Sequence, residues 1–376
     1  MRYFICLVCV LALSVMGCSE TSGTGGSGGD GGNGGDGGTG GVVSCMDNVC
    51  PCSEAGIRAA IEAGGEDPYT FACNGPQTVV TGAEIVIDND VILDGEGNLT
   101  VDGDESHRVF SVPLGVTAAL RGLTVTGGRL VAAMVGDIES GAGILNEGRL
   151  LLVDTTVRDN SAEHLDECHH TGGLDSCVAY GGGIHNHCAP GTQGGQLTLQ
   201  SSTVSGNYAD WLGGAIASDG HCASVLLQNS TVSGNSAGDA PEGISSTGTV
   251  TIVSSTISDR LSAVVSPATI TNSLVDGDCE AETTSSGYNI ESPGDTCGFD
   301  HGTDLVNITK GQLDLGDLAN NGGPTMTHAL GADSVALDRI PEVDCEVEAD
   351  QRGQPRPETG GTMCDVGSFE LQPEDL

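Results

Sequence analysis

One position of an internal repeat carries an acid, a histidine and a second acid in three successive copies. The phrases GAGILNEG, GGGIHNHC and GGAIASDG align so that Glu147, His187 and Asp219 share a column, and His185 precedes His187 by two residues on the same face. If the copies stack as strands, neighbouring side chains lie roughly 5 Å apart, close enough for general acid–base cleavage of a glycan. Outward positions of an acidic coil are often Glu, His or Asp, so a solvated column without catalysis is the favoured interpretation.

Histidines also gather in the segment EHLDECHHTGGLDSCVAY at 163–180, which interrupts the repeats. His164, His169 and His170 are ligand types that suit zinc or copper. We expect this segment to form a loop outside the coil, closed by Cys168 and Cys177. Because no ligand spacing here is diagnostic, an exposed loop without a metal is the favoured interpretation.

Three acidic turns raise the question of calcium: DND at 88–90, DGE at 94–96 and DGDE at 102–105. Counted from Asp94, an EF-hand loop would need glycine where Leu99 stands. Tight polar turns between strands account for the same residues without an ion. Calcium is therefore a secondary expectation, and no other cofactor is predicted.

The element that must position these side chains is the repeat itself, which runs from Gly141 to Asp278. Its copies continue into LLLVDTTVRDNSA, LTLQSSTVSGNYA and VLLQNSTVSGNSA. Aliphatic residues fall in three columns, which are Leu150, Leu197, Val225 and Val250; Leu152, Leu199, Leu227, Ile252 and Ile270; and Val157, Val204, Val232, Ile257 and Val275. The two-residue step between the first two columns is the period of a strand, and no copy has helical periodicity. One copy cannot bury its apolar face alone, so the copies must stack as a coil of parallel strands.

Asparagine forms columns of its own in the turns. Asn160, Asn207 and Asn235 each follow Gly or Asp, and we expect them to adopt left-handed backbone and to pair from rung to rung. A shorter column, Asn146 and Asn186, is interrupted by Ser218.

The GGxI and xGN phrases resemble the right-handed parallel β-helix (pectin-lyase-like) proteins of bacterial surfaces, in particular those with repeats of the polymorphic outer-membrane-protein type. Those repeats usually carry an aromatic where this chain has Val157, Val204 and Val232. The phrases SSGYNIESPGDTCGF, LANNGGPTMTHAL, DQRGQPRP and CDVGSFE, within Ser285 to Leu371, resemble the choice-of-anchor segment that closes many such proteins. The resemblance implies an all-β fold, a single-stranded right-handed parallel β-helix with a C-terminal cap.

The N-terminus has the pattern of an export signal, with Arg2 before a short apolar run. The signal ends in VMGC at 15–18, which resembles a bacterial lipoprotein cleavage site and implies a diacylglycerol on Cys18 that holds the protein on a membrane. Ser19 stands where an inner-membrane retention signal usually has Asp, so the outer membrane is favoured, facing the periplasm or the cell surface. Glycine makes up 13 of the 21 residues from Thr21 to Gly41, which predicts a flexible tether.

The charge is strongly acidic, with 52 Asp and Glu against 12 Lys and Arg and a formal net charge of −40. Such a surface repels nucleic acid, so no nucleic-acid partner is expected. Aromatic residues are only 3% of the chain, which fits a core of stacked aliphatic side chains.

Cysteine usage predicts disulfides in an oxidising compartment. Removal of Cys6 and Cys9 with the signal, and lipidation of Cys18, leave twelve cysteines, an even number. The expected pairs are Cys168 with Cys177, Cys188 with Cys222, Cys279 with Cys297 and Cys345 with Cys364, while Cys45, Cys50, Cys52 and Cys73 pair among themselves in an order that the sequence leaves open. A zinc site on Cys50, Cys52 and Cys73 is the alternative, but CxC is not a standard zinc spacing.

Together these patterns divide the chain into a signal peptide (1–17), a lipidated cysteine with its tether (18–41), a disulfide-bonded cap with a helix over Ser53–Ala63 (42–77), the β-helix (78–284), a C-terminal capping segment (285–371) and a tail (372–376). The favoured function is a non-catalytic structural or binding module of the bacterial envelope, an adhesin or glycan-binding protein, whose partners are the membrane and glycans or surface proteins. The alternative is a polysaccharide lyase or glycoside hydrolase that uses the acid–histidine row. The pectinase phrases NTD, GHG and RIK are missing, and Lys310 is the only lysine, so an enzyme is not favoured.

Overall fold

The aliphatic columns of the repeat lie in register along one face of a coil. The computed structural model describes residues 43–376 apart from 135–136, 166–176, 239–242, 264–266 and 281. Leu152 is the parallel partner of Leu199, and the same column continues through Leu227 and Ile252 to Ile270. The other two columns keep their predicted partners as well. The stacking of the copies is therefore confirmed, with a rise of about 4.8 Å for each rung.

The largest sheet, which we call the long sheet, joins seventeen strands of the described residues in parallel. Its strands are Val49–Pro51, Pro68–Ala72, Gln77–Val80, Val91–Asp102, Thr117–Thr126, Arg149–Val153, Thr156–Arg158, Gln196–Gln200, Thr203–Ser205, Ser224–Gln228, Thr231–Ser233, Thr249–Val253, Thr256–Ile257, Ala268–Thr271, Leu274–Val275, Thr283–Ser285 and Ile290–Glu291. The pairing begins at Val49 and ends at Glu291, so it extends beyond the predicted range of 78–284 at both ends.

Three smaller parallel sheets form the other walls of the coil. A seven-stranded sheet contains Ile85–Val86, Phe110–Val112, Ile144–Asn146, Ile184–His187, Ile216–Asp219, Ile244–Ser246 and Leu261–Ala263. A four-stranded sheet contains Arg129–Ala132, Ser161–His164, Tyr208–Ala209 and Ser236–Ala237, and Ile138–Ser140 pairs with Val178–Tyr180. The chain passes from wall to wall and returns one rung further on, which is the right-handed parallel β-helix that the sequence predicts.

The N-terminal end of the coil is covered by helix α1, Glu54–Ala63. Ser53 caps it, because its side chain accepts a hydrogen bond from the backbone N–H of Gly56. Ile57 and Ile61 on one face of the helix are buried in the same core as the first rungs. The predicted capping helix is confirmed, and it shields apolar side chains that an open end would expose to water.

The predicted asparagine ladder runs through the interior of the turns. Asn160 Nδ2 donates to Asn207 Oδ1 at 2.9 Å, Asn207 Nδ2 donates to Asn235 Oδ1 at 2.9 Å, and Asn235 Nδ2 donates to Asp259 Oδ2 at 2.7 Å. The left-handed backbone lies one residue earlier than expected, at Asp159, Gly206 and Gly234, because that residue makes the turn and directs the following amide inward. In the shorter column, Asn146 Nδ2 donates to Asn186 Oδ1 at 2.7 Å, and Asn186 Nδ2 donates in turn to Ser218 Oγ at 3.1 Å, so Ser218 continues this ladder.

The C-terminal segment builds a small core against the last rungs. It contains helix α2, Lys310–Leu313, two 3-10 turns, Glu342–Asp344 and Pro373–Asp375, and two antiparallel pairs, Leu315–Ala319 with Thr327–Leu330 and Ile340–Pro341 with Met363–Cys364. Leu330, Val366 and Phe369 pack with Leu274 and Ile290 of the coil. This packing closes the end of the β-helix, as the sequence predicts.

The same segment also returns along the side of the coil, which the sequence does not predict. A column of outward threonines on the long sheet, including Thr203 and Thr231, gives short hydroxyls that the returning chain can approach. The hydrogen bonds run from Thr325 Oγ1 to Ser201 O (3.0 Å), from Gln351 Nε2 to Thr203 Oγ1 (2.8 Å), from Thr231 Oγ1 to Gln351 Oε1 (2.6 Å), from Asn229 Nδ2 to Ala349 O (3.1 Å), from Ser368 N to Thr256 Oγ1 (3.1 Å) and from Gly367 N to Asn272 O (3.0 Å). We call residues 320–368 the strap.

Five disulfides join described cysteines, and they include three of the pairs expected from proximity. These are Cys45 with Cys50, Cys52 with Cys73, Cys188 with Cys222, Cys279 with Cys297 and Cys345 with Cys364. Cys50, Cys52 and Cys73 are thus bonded to other cysteines, which leaves no thiolates for the alternative zinc site. Cys177 is disulfide-bonded, and its expected partner Cys168 lies outside the described residues.

The N-terminal predictions fall outside the described residues, since Cys18 and the glycine-rich tether precede residue 43. Within the described part of the chain, no helix has the length and apolar character needed to cross a membrane.

Candidate functional site

The predicted acid–histidine row is present in part. Strands Ile184–His187 and Ile216–Asp219 are adjacent in the seven-stranded sheet, and their register makes His187 the direct partner of Asp219. His187 Nδ1 lies 2.6 Å from Asp219 Oδ1, and His185 Nε2 lies 3.0 Å from the same oxygen. Because His185 and His187 are two residues apart on one strand, both imidazoles lie on one face and meet a single carboxylate.

Burial within this cluster is uneven. The His185 side chain is 8% exposed, whereas His187 is 32% and Asp219 is 48% exposed. The His185 ring lies 5.7 Å from the Tyr180 ring and 5.7 Å from the His187 ring, measured between centroids. Burial raises the pKa of the Asp219 carboxyl, but hydrogen bonds and charge attraction from His185 and His187 outweigh it and lower that pKa to about 2. Burial, and then the charge of Asp219, raise the pKa of the Tyr180 hydroxyl.

Glu147 does not complete the row. Strand Ile144–Asn146 ends one residue earlier, and beyond it the backbone N–H of Glu147 turns to the carbonyl of Val112 while its own carbonyl accepts from Gly195. Among the described residues, no hydrogen bond joins the Glu147 carboxylate to His187. The hypothesis of three aligned catalytic groups is corrected to a pair, His187 and Asp219, which His185 joins in place of Glu147.

Of the three histidines in the interrupting segment, the structure describes only His164. His164 Nδ1 lies 2.9 Å from Asp210 Oδ2, so its ring is held by a carboxylate of the next rung. His169 and His170 lie outside the described residues. Metal binding by this loop stays the less favoured alternative.

The carboxylates of the acidic turns accept hydrogen bonds from backbone N–H groups. Asp94 Oδ1 accepts from Glu96 N, Asp102 Oδ1 accepts from Asp104 N, and Asp90 Oδ1 accepts from Thr117 N. The first two bonds are those of tight polar turns, which is the favoured interpretation of the sequence, whereas the bond from Thr117 joins residues 27 apart in the chain. Calcium binding stays a prediction.

A cleft lies on the long sheet, where the sequence predicts no site. Asp94 and Arg121 are parallel partners on neighbouring strands, Val153 follows Arg121 on the next strand, and Gln200 follows Val153. The cleft of about 510 Å³ is lined by Asp94, Glu96, Gly97, Arg121, Gly122, Leu151, Val153, Asp154, Gln200 and Pro324. Pro324 comes from the strap, so strap and sheet form the two walls.

Charge within the cleft is mixed. Burial, and then the charge of Asp94, raise the pKa of the Asp154 carboxyl. Arg121 is half-buried, and no described residue accepts a hydrogen bond from its buried Nε. A guanidinium, three carboxylates and an amide therefore line an aliphatic floor, an arrangement that can bind hydroxyl-bearing ligands.

A pattern in the sequence could have placed Asp94 beside Arg121 in this cleft. The phrases LDG at 93–95 and LRG at 120–122 align in the structure, with Leu93 the partner of Leu120, and an irregularity in register then separates Asp94 from Leu99. These residues precede the repeat, so they lie outside its aligned copies.

The chain is thus a parallel β-helix protein with a polar cleft and a histidine–aspartate cluster on different walls. No protein-family model matches it, and no curated protein matches it. A solved structure described as the crystal structure of pectate lyase Pel9A is similar to it, with a TM-score of 0.46 and 11% sequence identity over 83% of this chain and 90% of that chain. This similarity is too low to bear on the activity of the chain.

Proposed function

We propose that the protein is a non-catalytic binding module of the bacterial cell envelope, anchored through a lipid on Cys18, that binds a glycan in the cleft of the long sheet. The cleft carries the proposal, because it combines Arg121, Asp154 and Gln200 with an aliphatic floor of Leu151 and Val153. Sugars offer hydroxyls to such polar groups and C–H faces to such floors.

The charge of the cleft favours one class of glycan. Asp94, Glu96 and Asp154 outnumber the single guanidinium of Arg121, on a chain whose formal net charge is −40. This field repels uronate-rich polymers. Neutral or amine-bearing glycans are therefore the proposed ligands.

The test is binding of the full chain to an array of neutral, amine-bearing and uronate-bearing glycans, followed by titration calorimetry. Gln200→Ala and Asp154→Asn should each weaken binding about tenfold, which corresponds to ~1.4 kcal/mol. Gln196→Ala is the matched control, since Gln196 lies on the same strand as Gln200 but outside the cleft lining. The absence of glycan binding, or equal binding by all variants, would contradict the proposal.

A second candidate function is a carbohydrate-active enzyme, and one observation favours it. Asp219 contacts His187 Nδ1 at 2.6 Å, and a carboxylate in this position orients a histidine that acts as a general base through its other nitrogen. The assay measures new reducing ends and unsaturated uronates after incubation with neutral and acidic polysaccharides. Cleavage by the wild type that is lost in His187→Ala would establish the enzyme, and no cleavage by the wild type would exclude it for those substrates.

A further inference from the structure

We propose that His185, His187 and Asp219 bind a transition-metal ion of the Zn²⁺ type on the outer face of the seven-stranded sheet. The inference does not depend on the glycan cleft, which lies on the long sheet. The inference rests on the proximity of the three side chains, because one ligand atom from each residue lies within 4.8 Å of the other two. Among the described residues, this trio is the group of potential metal ligands that comes together in this way.

The distances fit a small ion after a slight adjustment. Bonds of 2.0–2.2 Å at tetrahedral angles separate neighbouring ligand atoms by about 3.3 Å. Asp219 Oδ1 lies 3.0 Å from His185 Nε2 and 2.6 Å from His187 Nδ1. The two nitrogens lie within 4.8 Å of each other. An ion that binds all three atoms has to increase the distances from the Asp219 oxygen to these nitrogens by about 0.3–0.7 Å, and Asp219 and His187 are the more exposed side chains, which can adjust.

The ligand types select the class of metal. Two neutral imidazoles and one carboxylate suit Zn²⁺ and its neighbours, whereas Ca²⁺ and Mg²⁺ prefer sites built from oxygen. His185 would bind through Nε2 and His187 through Nδ1, since these nitrogens face the Asp219 oxygen.

The site is rigid on one side and open on the other. His185 lies on a strand held between the rungs of Leu145 and Ala217, and its side chain is 8% exposed. His187 and Asp219 reach solvent, so water or a ligand group can occupy the remaining coordination position. Three protein ligands with one open position are typical of reactive zinc sites rather than of closed structural ones.

The experiment uses the full chain, freed of metal with a chelator that is then removed. Titration with Zn²⁺ is followed by calorimetry, and titration with Co²⁺ is followed by visible absorption, which reports ligand type and geometry without requiring an activity. We expect one ion per chain and a tetrahedral Co²⁺ spectrum. Asp219→Asn and His187→Ala should each weaken binding by more than roughly tenfold.

Two controls separate this site from other histidines. His221→Ala removes an exposed histidine two residues after Asp219, and the double variant His169→Ala/His170→Ala removes two of the three histidines of the interrupting segment. Both should bind as the wild type does. Should His187→Ala fail to fold, as judged by circular dichroism, the conservative Asp219→Asn decides the question. Absence of binding by the wild type, unchanged binding by Asp219→Asn, or loss of binding only in the loop variant would overturn the proposal.

Discussion

Arg356 donates through Nε to the Glu370 carboxylate at 3.1 Å, and both side chains are only 1% exposed. The other guanidinium nitrogens donate to the carbonyls of Gly367 and Asp365, while Glu370 also accepts from the backbone N–H of Asp365 at 2.9 Å. A buried ion pair persists only when its remaining donors and acceptors are bonded in this way. The pair therefore organises the part of the C-terminal segment that packs on the last rungs.

Removal of one partner of this pair should destabilise the protein strongly. Glu370→Ala leaves the Arg356 charge buried without its carboxylate, so we expect the free energy of unfolding to fall by about 3–5 kcal/mol. Urea denaturation at pH 8 measures it. Arg158→Ala breaks the pair with Asp159, in which both side chains are exposed, and should cost at most about 1 kcal/mol. Equal effects of the two substitutions would contradict the assignment.

The same buried carboxyls should make stability depend on pH. Burial raises the pKa of Asp365 to about 6 and that of Glu370 to about 7; for Glu370, Arg356 opposes the rise and the nearby Asp365 charge adds to it. Because both pKa values are higher in the folded protein than the usual carboxyl values, the folded state binds more protons than the unfolded state. The stabilisation is complete below about pH 4 and is lost as the pH rises through about 6 to 7, at ~1.4 kcal/mol for each unit of pKa difference.

Unfolding curves collected between pH 4 and pH 8 test this expectation. The general repulsion among acidic side chains changes in the same direction with pH, so the comparison must be with the double variant Asp365→Asn/Glu370→Gln. The slope of unfolding free energy against pH should be smaller in that variant. An identical slope would show that these two carboxyls do not titrate as described.

The interior asparagine ladder should be sensitive at its centre. Asn207→Ala removes the acceptor for the Asn160 backbone N–H at 3.1 Å and the donor to Val157 O at 3.0 Å, besides both ladder bonds. Buried groups left without partners cost about 1–3 kcal/mol each, so we expect a loss of roughly 2–4 kcal/mol in denaturant unfolding. Asn98→Ala, in an exposed turn, should change stability by less than about 0.5 kcal/mol.

Disulfide removal should cost more where the bond spans a longer loop. Cys188 and Cys222 are 34 residues apart, whereas Cys45 and Cys50 are 5 apart. The chain-entropy argument assigns about 4 kcal/mol to the first bond and about 2 kcal/mol to the second. Thermal and urea unfolding of Cys188→Ala/Cys222→Ala and Cys45→Ala/Cys50→Ala compare them directly. A larger loss from the shorter loop would contradict loop closure as the dominant cause.

Local repetition explains why the coil was predictable. Leu152, Leu199 and Leu227 occur at the same place in consecutive copies, and a parallel strand that slips by one residue would turn such a column toward solvent. Register, strand face and the pairing of Asn160 with Asn207 and of Asn207 with Asn235 therefore follow from the alignment of the copies alone. The alignment places Glu147 beside His187, but an alignment predicts register only within a strand. This strand ends at Asn146, so the prediction does not hold for Glu147.

Contacts between distant parts of the chain were not predictable in the same way. Gln351 reaches Thr203 across 148 residues, and no periodicity in the sequence relates the two. The cleft depends on this return, because Pro324 of the strap forms one of its walls. The repeat thus predicts the strands that form the floor of the cleft. The opposite wall, which includes Pro324, depends on tertiary packing.

The strap also restricts how the gene for such a protein could lengthen or shorten. Its bonds to Ser201, Asn229 and Asn272 match three particular rungs, so duplication of a turn among them would separate donors from acceptors all along the return path. A turn inserted before Ser201 would leave those contacts intact. Rungs can therefore be added or removed mainly in the part of the coil that precedes Ser201.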